Sequence, residues 1–314
     1  MILVSAENKS KETGRKMYSN TQFQLTDILN NFVIDKAVNR VPRAASLLNL
    51  KKIMLYLKDE ITINELMAIC EIGKRSYFLE YLKLLDILGW AHYRNDFIIS
   101  TSKGEGIKSK LSKTEYISDN DCQIIRQDLL KLGFIRKFML VVFNFDITNQ
   151  RSSSGVCLTK DEITKKYIEY RKVSQSVAER ESRLIYNWLL GLKVLETLPI
   201  IDKYKDDKVC YHVIGAEVSF EKFTNRIKPT VFRAINGKRK PSEWVEIPKV
   251  RTLFCIENDI SKSQFDKLFL AYIKKYPETF QLSTATTIRP EVEREGIKSN
   301  NRIIYFYVKL SEGR

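Results

Sequence analysis

The sequence predicts a mainly helical α+β protein with small β-hairpins, built by repetition rather than around one large sheet. Three observations carry that prediction. Polar helix-start signatures, Thr62 with Glu65, Thr159 with Glu162 and Ser261 with Gln264, recur roughly one hundred residues apart. Each opens onto apolar residues at helical spacing. Each stretch then gives way to two strand-like runs around a polar turn.

Taken in order, residues 1–46 form a polar N-terminal extension predicted to contain a helix. The first unit spans 47–115. Leu50 to Leu57 is apolar at helical spacing, Thr62 caps a second helix, and Gly73 supplies a turn. A third helix carries Phe78, Tyr81, Leu82, Leu85 and Leu88 and stops at Gly89, a residue suited to a left-handed cap. Trp90–Tyr93 and Phe97–Ser100 flank Arg94-Asn95-Asp96 as a hairpin.

Residues 116–156 read as a helical and apolar connector, with a helix from Cys122 to Leu132 ended by Gly133. The run Phe134–Phe145 follows, a buried strand or helix segment. The second unit spans 157–221. After the Thr159 cap, Ile163, Tyr167 and Tyr170 share a face. Val173–Ser176 breaks the pattern, and a long helix then carries Val177, Leu184, Ile185, Trp188, Leu189 and Leu192. Its hairpin is Leu198–Ile201 and Val209–Val213 around Lys205–Lys208. Residues 222–243 are a basic connector. The third unit, 244–314, opens with Val250, Leu253 and Phe254 and continues from Ser261 through Phe265, Phe269 and Tyr272. It ends in strands 280–283 and 303–308 around a charged tip from Arg289 to Asn301.

This order of helix, turn, amphipathic helix and hairpin resembles the winged helix-turn-helix superfamily, in tandem units. In the first unit, Ile99-Ser100-Thr101-Ser102-Lys103-Gly104 is similar to the Leu-Thr-x-x-Gly close of the wing in many prokaryotic winged-helix regulators. The resemblance implies a third helix that enters a DNA major groove and a wing that meets the backbone or minor groove.

The chain has 314 residues, of which 44% are hydrophobic and 29% charged, so it folds rather than remaining disordered. Its formal charge of +15 is unevenly placed. Residues 51–100 hold seven cations and seven anions, whereas Lys222 to Ser242 holds seven cations and no acid. An acid-free basic run points to a polyanion. The expected partner is therefore double-stranded DNA, gripped by the later half of the chain, with the neutral first unit free for self-association or a protein partner.

The candidate DNA-binding residues are Gln175, Ser176, Arg180, Arg183 and Asn187 on the long second-unit helix, where arginine forks suit guanine and amides suit adenine. Glu179 and Glu181 dilute that face. Lys222, Arg226, Lys228, Arg233, Lys238, Arg239 and Lys240 supply the basic connector, and Lys262 and Lys267 the third unit. On the first unit, Lys74, Arg75 and Lys83 are offset by Glu80 and Asp86.

Other chemistry is poorly provided for. The chain has no GxxxxGK[ST] loop, no GxSxG and no HExxH, so no cofactor and no catalytic residue is expected. Neither His92 nor His212 has a second ligand nearby in sequence. Asp206-Asp207-Lys208 fits a nuclease shorthand, which keeps a metal-dependent nuclease as an alternative beside a structural adaptor. Five scattered cysteines without a CxxC are expected to be reduced and buried. Phe138–Phe145 is too short to span a bilayer, and Met1–Ala6 too short for a signal peptide, so the expected location is cytoplasmic. The winged-helix reading implies a non-enzymatic regulator, initiator or accessory subunit of a mobile-element, replication or genome-defence system.

Overall fold

The computed structural model describes residues 41, 43, 46–58, 61–147, 151–152, 155–199, 209–235, 243–285, 290–298 and 303–311. The predicted N-terminal helix therefore lies outside the described residues. What is described is an α+β protein with small antiparallel sheets, in which one chain path, helix–strand–helix–helix–strand–strand, occurs three times.

Unit 1 runs α1 (Leu47–Tyr56), β1 (Ile61–Thr62), α2 (Ile63–Ile69), α3 (Arg75–Leu88), β2 (Ala91–Arg94) and β3 (Phe97–Ser100). Its sheet order is β1-β3-β2. Thr62 and Glu65 cap each other's backbone reciprocally at the start of α2, and Gly89 closes α3 at φ 67°. Both features match the sequence reading. The Thr-x-x-Gly close also has a physical reason. Thr101 caps a short helix, α4 (Ser102–Lys108), by accepting from the Gly104 N–H, and donates to the Gly89 and Trp90 carbonyls. A Cβ on Gly104 would stand 1.9 Å from the Trp90 carbonyl oxygen, so no larger residue fits.

The connector 116–156 is two helices, α5 (Asp119–Leu129) and α6 (Gly133–Phe143), followed by a small ladder of β4 (Phe145–Asp146) with β5 (Arg151–Ser152). Gly133 begins α6 rather than ending α5. The apolar run resolves as helix because Ile135, Phe138, Met139 and Val142 recur every three or four residues on its buried side. Asn144 ends it in the left-handed region at φ 53°.

Unit 2 consequently starts at α6 rather than at residue 157. It continues with β6 (Cys157–Leu158), α7 (Lys160–Arg171), α8 (Gln175–Gly191), β7 (Leu195–Pro199) and β8 (Val209–Val213), in sheet order β6-β8-β7. The Thr159–Glu162 box is reciprocal, like that of unit 1. The Lys205–Lys208 turn lies outside the described residues.

Unit 3 also begins earlier than expected. The basic connector is not a linker: Phe220–Ala234 is a helix, α9, whose Phe223, Ile227, Val231 and Ala234 are buried. It is followed by β9 (Val245–Glu246), α10 (Ile247–Asn258), α11 (Lys262–Lys275) and β10 (Phe280–Thr284). The charged tip contains α12 (Pro290–Glu295) and β11 (Ile297–Lys298) before β12 (Ile304–Leu310). β9 and β10 both pair with β12, which reproduces the sheet order of the other units, and β11 adds to the ladder. Ser261 caps α11, the unit's third helix, by accepting from Gln264 N–H.

Two cores hold the units together. One is continuous through unit 1, α5 and unit 2; the other combines unit 3 with Leu198 and Cys210 of the unit 2 sheet. α5 is the strut of the first junction. Its Asp128 accepts from Trp90 Nε1 at 2.9 Å and pairs with Lys103 and Lys131. Its Asp121 meets Lys51 Nζ of α1 at 2.9 Å, with both side chains buried. Burial alone would raise the Asp121 carboxyl, but hydrogen bonds from Lys51, Ser112 and Ser118 hold it well below the usual range.

One cysteine expectation is overturned. Cys157 and Cys210 form a disulfide, with Cα atoms 5.5 Å apart. They lie 53 residues apart in sequence, and only the β6–β8 pairing brings them together. Cys70, Cys122 and Cys255 are free and buried, as expected. Among the described residues, no helix is long and apolar enough to cross a membrane.

Candidate nucleic-acid interface

α8 is set between two surfaces by its own sequence. Ala178, Ser182, Ile185 and Leu189 recur at helical spacing and are buried. The opposite side presents Ser176, Arg180, Arg183 and Asn187, a single stripe at spacings of four, three and four, all exposed. Gln175, also exposed, donates from Nε2 to Glu179 at 2.9 Å. Glu181 does not dilute this face. It is buried and accepts the Tyr167 hydroxyl at 2.9 Å, so Glu179 is the only acid left on the exposed turn. Neither Arg180 nor Arg183 forms an ion pair among the described residues. Lys172, which the sequence did not single out, is exposed at φ 52° in the turn that leads into α8.

The other predicted cations divide. On α9, Lys222, Arg226 and Arg233 lie along one exposed line, and Lys228 is exposed on the other flank of the helix. Two of the four are engaged with α10: Arg226 donates to Asn258 Oδ1 at 2.5 Å and Arg233 pairs with Glu257 at 2.5 Å. Arg233 is thus internally neutralised. Lys238, Arg239 and Lys240 lie outside the described residues.

The start of α11 is covered. Lys262 N–H donates to Glu196 Oε2 of β7 at 2.8 Å, and the buried His212 of β8 donates from Nε2 to Ile260 O at 3.3 Å. Asp259 O accepts from Gly215 and Ala216 N–H. The turn into α11 therefore rests on the outer face of the unit 2 sheet. Lys267, one turn further on, is exposed. The structure gathers Ser176, Arg180, Arg183 and Asn187 on one face of α8, with Gln175 exposed at its first position off that stripe, and leaves the α9 and α11 cations on separate helices.

On unit 1 the balance of signs is realised as ion pairs. Arg75 bonds Asn64 and Asp96, Lys83 pairs with Glu80, and His92 Nδ1 lies 2.6 Å from Asp86.

No group of three or more His, Cys, Asp or Glu that could hold a metal ion occurs among the described residues; Asp206 and Asp207 lie outside them. No protein-family model, no curated protein and no solved structure matches the chain.

Proposed function

We propose that the three units are winged helices and that the chain binds double-stranded DNA, with α8 as the helix that enters the major groove. The recurrent chain path and sheet order support the first part. The exposed stripe of Ser176, Arg180, Arg183 and Asn187 carries the second, because among the described residues its arginines are free of ion pairs where those of α3 and α9 are engaged. Arginine forks and amide side chains are the groups that read purine edges in that groove. Lys222, Lys228 and Lys267 then act as phosphate contacts. In this reading the protein is a non-enzymatic regulator, initiator or accessory subunit of a replication, mobile-element or genome-defence system.

The experiment is a titration of random-sequence duplex followed by fluorescence anisotropy across salt. Binding should weaken steeply as salt rises, by about 0.9 in logarithmic slope per phosphate neutralised. Absent or salt-independent binding would remove the proposal. A second reading, an adaptor that bridges proteins, is favoured by one observation: the outer sheet face of unit 1 is exposed and carries Phe97 and Ile99.

A further inference from the structure

The backbone ladders of units 1 and 2 superpose residue for residue. Thr101 N–H reaches Trp90 O as Ile214 N–H reaches Val194 O. The cross-strand pairs His92–Ile99 and Arg94–Phe97 correspond to Glu196–His212 and Leu198–Cys210. In unit 2 this outer face is the seat of unit 3: Leu198 and Cys210 belong to the unit 3 core, and Glu196 and His212 bond the turn into α11. In unit 1 the same face is uncovered among the described residues, with Phe97 45% and Ile99 43% exposed.

A sheet face that stays in water is normally polar. In the third unit Gln281, Ser283, Tyr307 and Lys309 occupy the outward positions, with the exposed Trp244 ring against the Lys309 ammonium. Unit 1 breaks that rule. Of the eleven large apolar side chains exposed among the described residues, six lie between Tyr56 and Ile99. We propose that the outer face of the unit 1 sheet is a self-association surface on which a second copy of this chain docks, with Phe97 and Ile99 at its centre.

Charge selects a second copy over other occupants. The chain carries +15 overall, yet residues 51–100 sum to zero, so this is the part that two copies can bring together with least repulsion. Both signs border the face: Arg94 on it, and beside it Asp86 and Asp96, which within the chain bond His92 and Arg75. A two-fold arrangement can set the cation of one copy against the acid of the other. Paired chains would also present two α8 helices to DNA, as dimeric helix-turn-helix proteins do to paired half-sites. That consequence rests on the proposed function; the docking face does not.

Sedimentation equilibrium of the full chain without DNA tests it. The wild type should sediment with twice the chain mass. Phe97→Ser/Ile99→Ser should dissociate about tenfold or more readily, with an unchanged circular dichroism spectrum. If that variant does not fold, Arg94→Glu, at an exposed position, should weaken the pairing by placing like charges at Asp86 and Asp96. A wild type that is monomeric throughout, or a dimer unaffected in the folded variants, would overturn the proposal. A dimer that fails to bind duplex would leave it standing while removing the DNA reading.

Discussion

Gly104 and Lys51 each hold a place that no similar residue can take. Gly104→Ala puts a methyl carbon 1.9 Å from the Trp90 carbonyl oxygen, and backbone cannot yield as a side chain can. Chemical denaturation should show a loss of about 1–3 kcal/mol. Gly106, two residues on in the same helix, has nothing within 4 Å of the point where a methyl carbon would stand. Gly106→Ala should be neutral or stabilise by up to about 1 kcal/mol. Equal losses at both positions would refute this account of the Thr-x-x-Gly close. Lys51 donates to Asp121, Ser112, Thr114 and the Tyr116 carbonyl from a buried position. Lys51→Met leaves the Asp121 carboxylate buried without its counter-charge and should cost about 3–5 kcal/mol. Adding Asp121→Leu should recover part of that loss, which a double-mutant cycle of denaturation midpoints would measure. If the single variant is as stable as the wild type, the pair does not hold α5 to unit 1.

Among the elements, the junction of β7, β8 and α11 is where pH and redox state act. His212 is fully buried, and desolvation lowers its pKa to about 4, while its bond to Ile260 works the other way. The folded chain therefore binds fewer protons at this site than the unfolded chain, whose histidine titrates near 6.5. Stability falls as pH drops through the window from about 6.5 to about 4, by about 3 kcal/mol in total, and is level outside it. Burial raises the carboxyls of Glu196 and Asp266, which respond in the opposite sense. The difference in melting between wild type and His212→Leu isolates the imidazole. It should shift in the variant's favour as the solution is acidified, and a constant difference would contradict the assignment. The Cys157–Cys210 bridge adds a redox dependence. Reduction by a dithiol should lower stability by about 2–4 kcal/mol, an effect absent from Cys157→Ser/Cys210→Ser.

These elements also mark what could be read from sequence. The Thr62 and Thr159 boxes, the Gly89 cap and the α8 stripe were legible, because caps and helical spacing act within a few residues. The first helices of units 2 and 3 were not. α6 is apolar enough to pass for a strand, and the cations of α9 masked its buried Phe223, Ile227 and Val231. The disulfide and the inward turn of Glu181 depend on contacts between separate elements of unit 2, and the covering of α11 by Glu196 on a contact between units 2 and 3, none of which local spacing encodes.

For the whole molecule, the three repeats have diverged in what their equivalent surfaces do. The third helix of unit 1 is internally ion-paired, that of unit 3 is covered at its start, and that of unit 2 is exposed and carries arginines without an ion pair among the described residues. The outer sheet face is buried in unit 2, mostly polar in unit 3, and in unit 1 exposes Phe97 and Ile99 between Arg94 and His92. On the proposed function this amounts to a division of labour, in which unit 2 would meet DNA, unit 3 would buttress it and unit 1 would pair chains. The most direct test is the salt dependence of duplex binding by Arg180→Gln/Arg183→Gln beside the wild type. If α8 lies in the groove with its arginines on purine edges, the variant should bind more weakly, by about 1–3 kcal/mol for each arginine lost, while its logarithmic salt slope, set by the phosphate contacts, stays close to that of the wild type. An unchanged affinity would contradict the account.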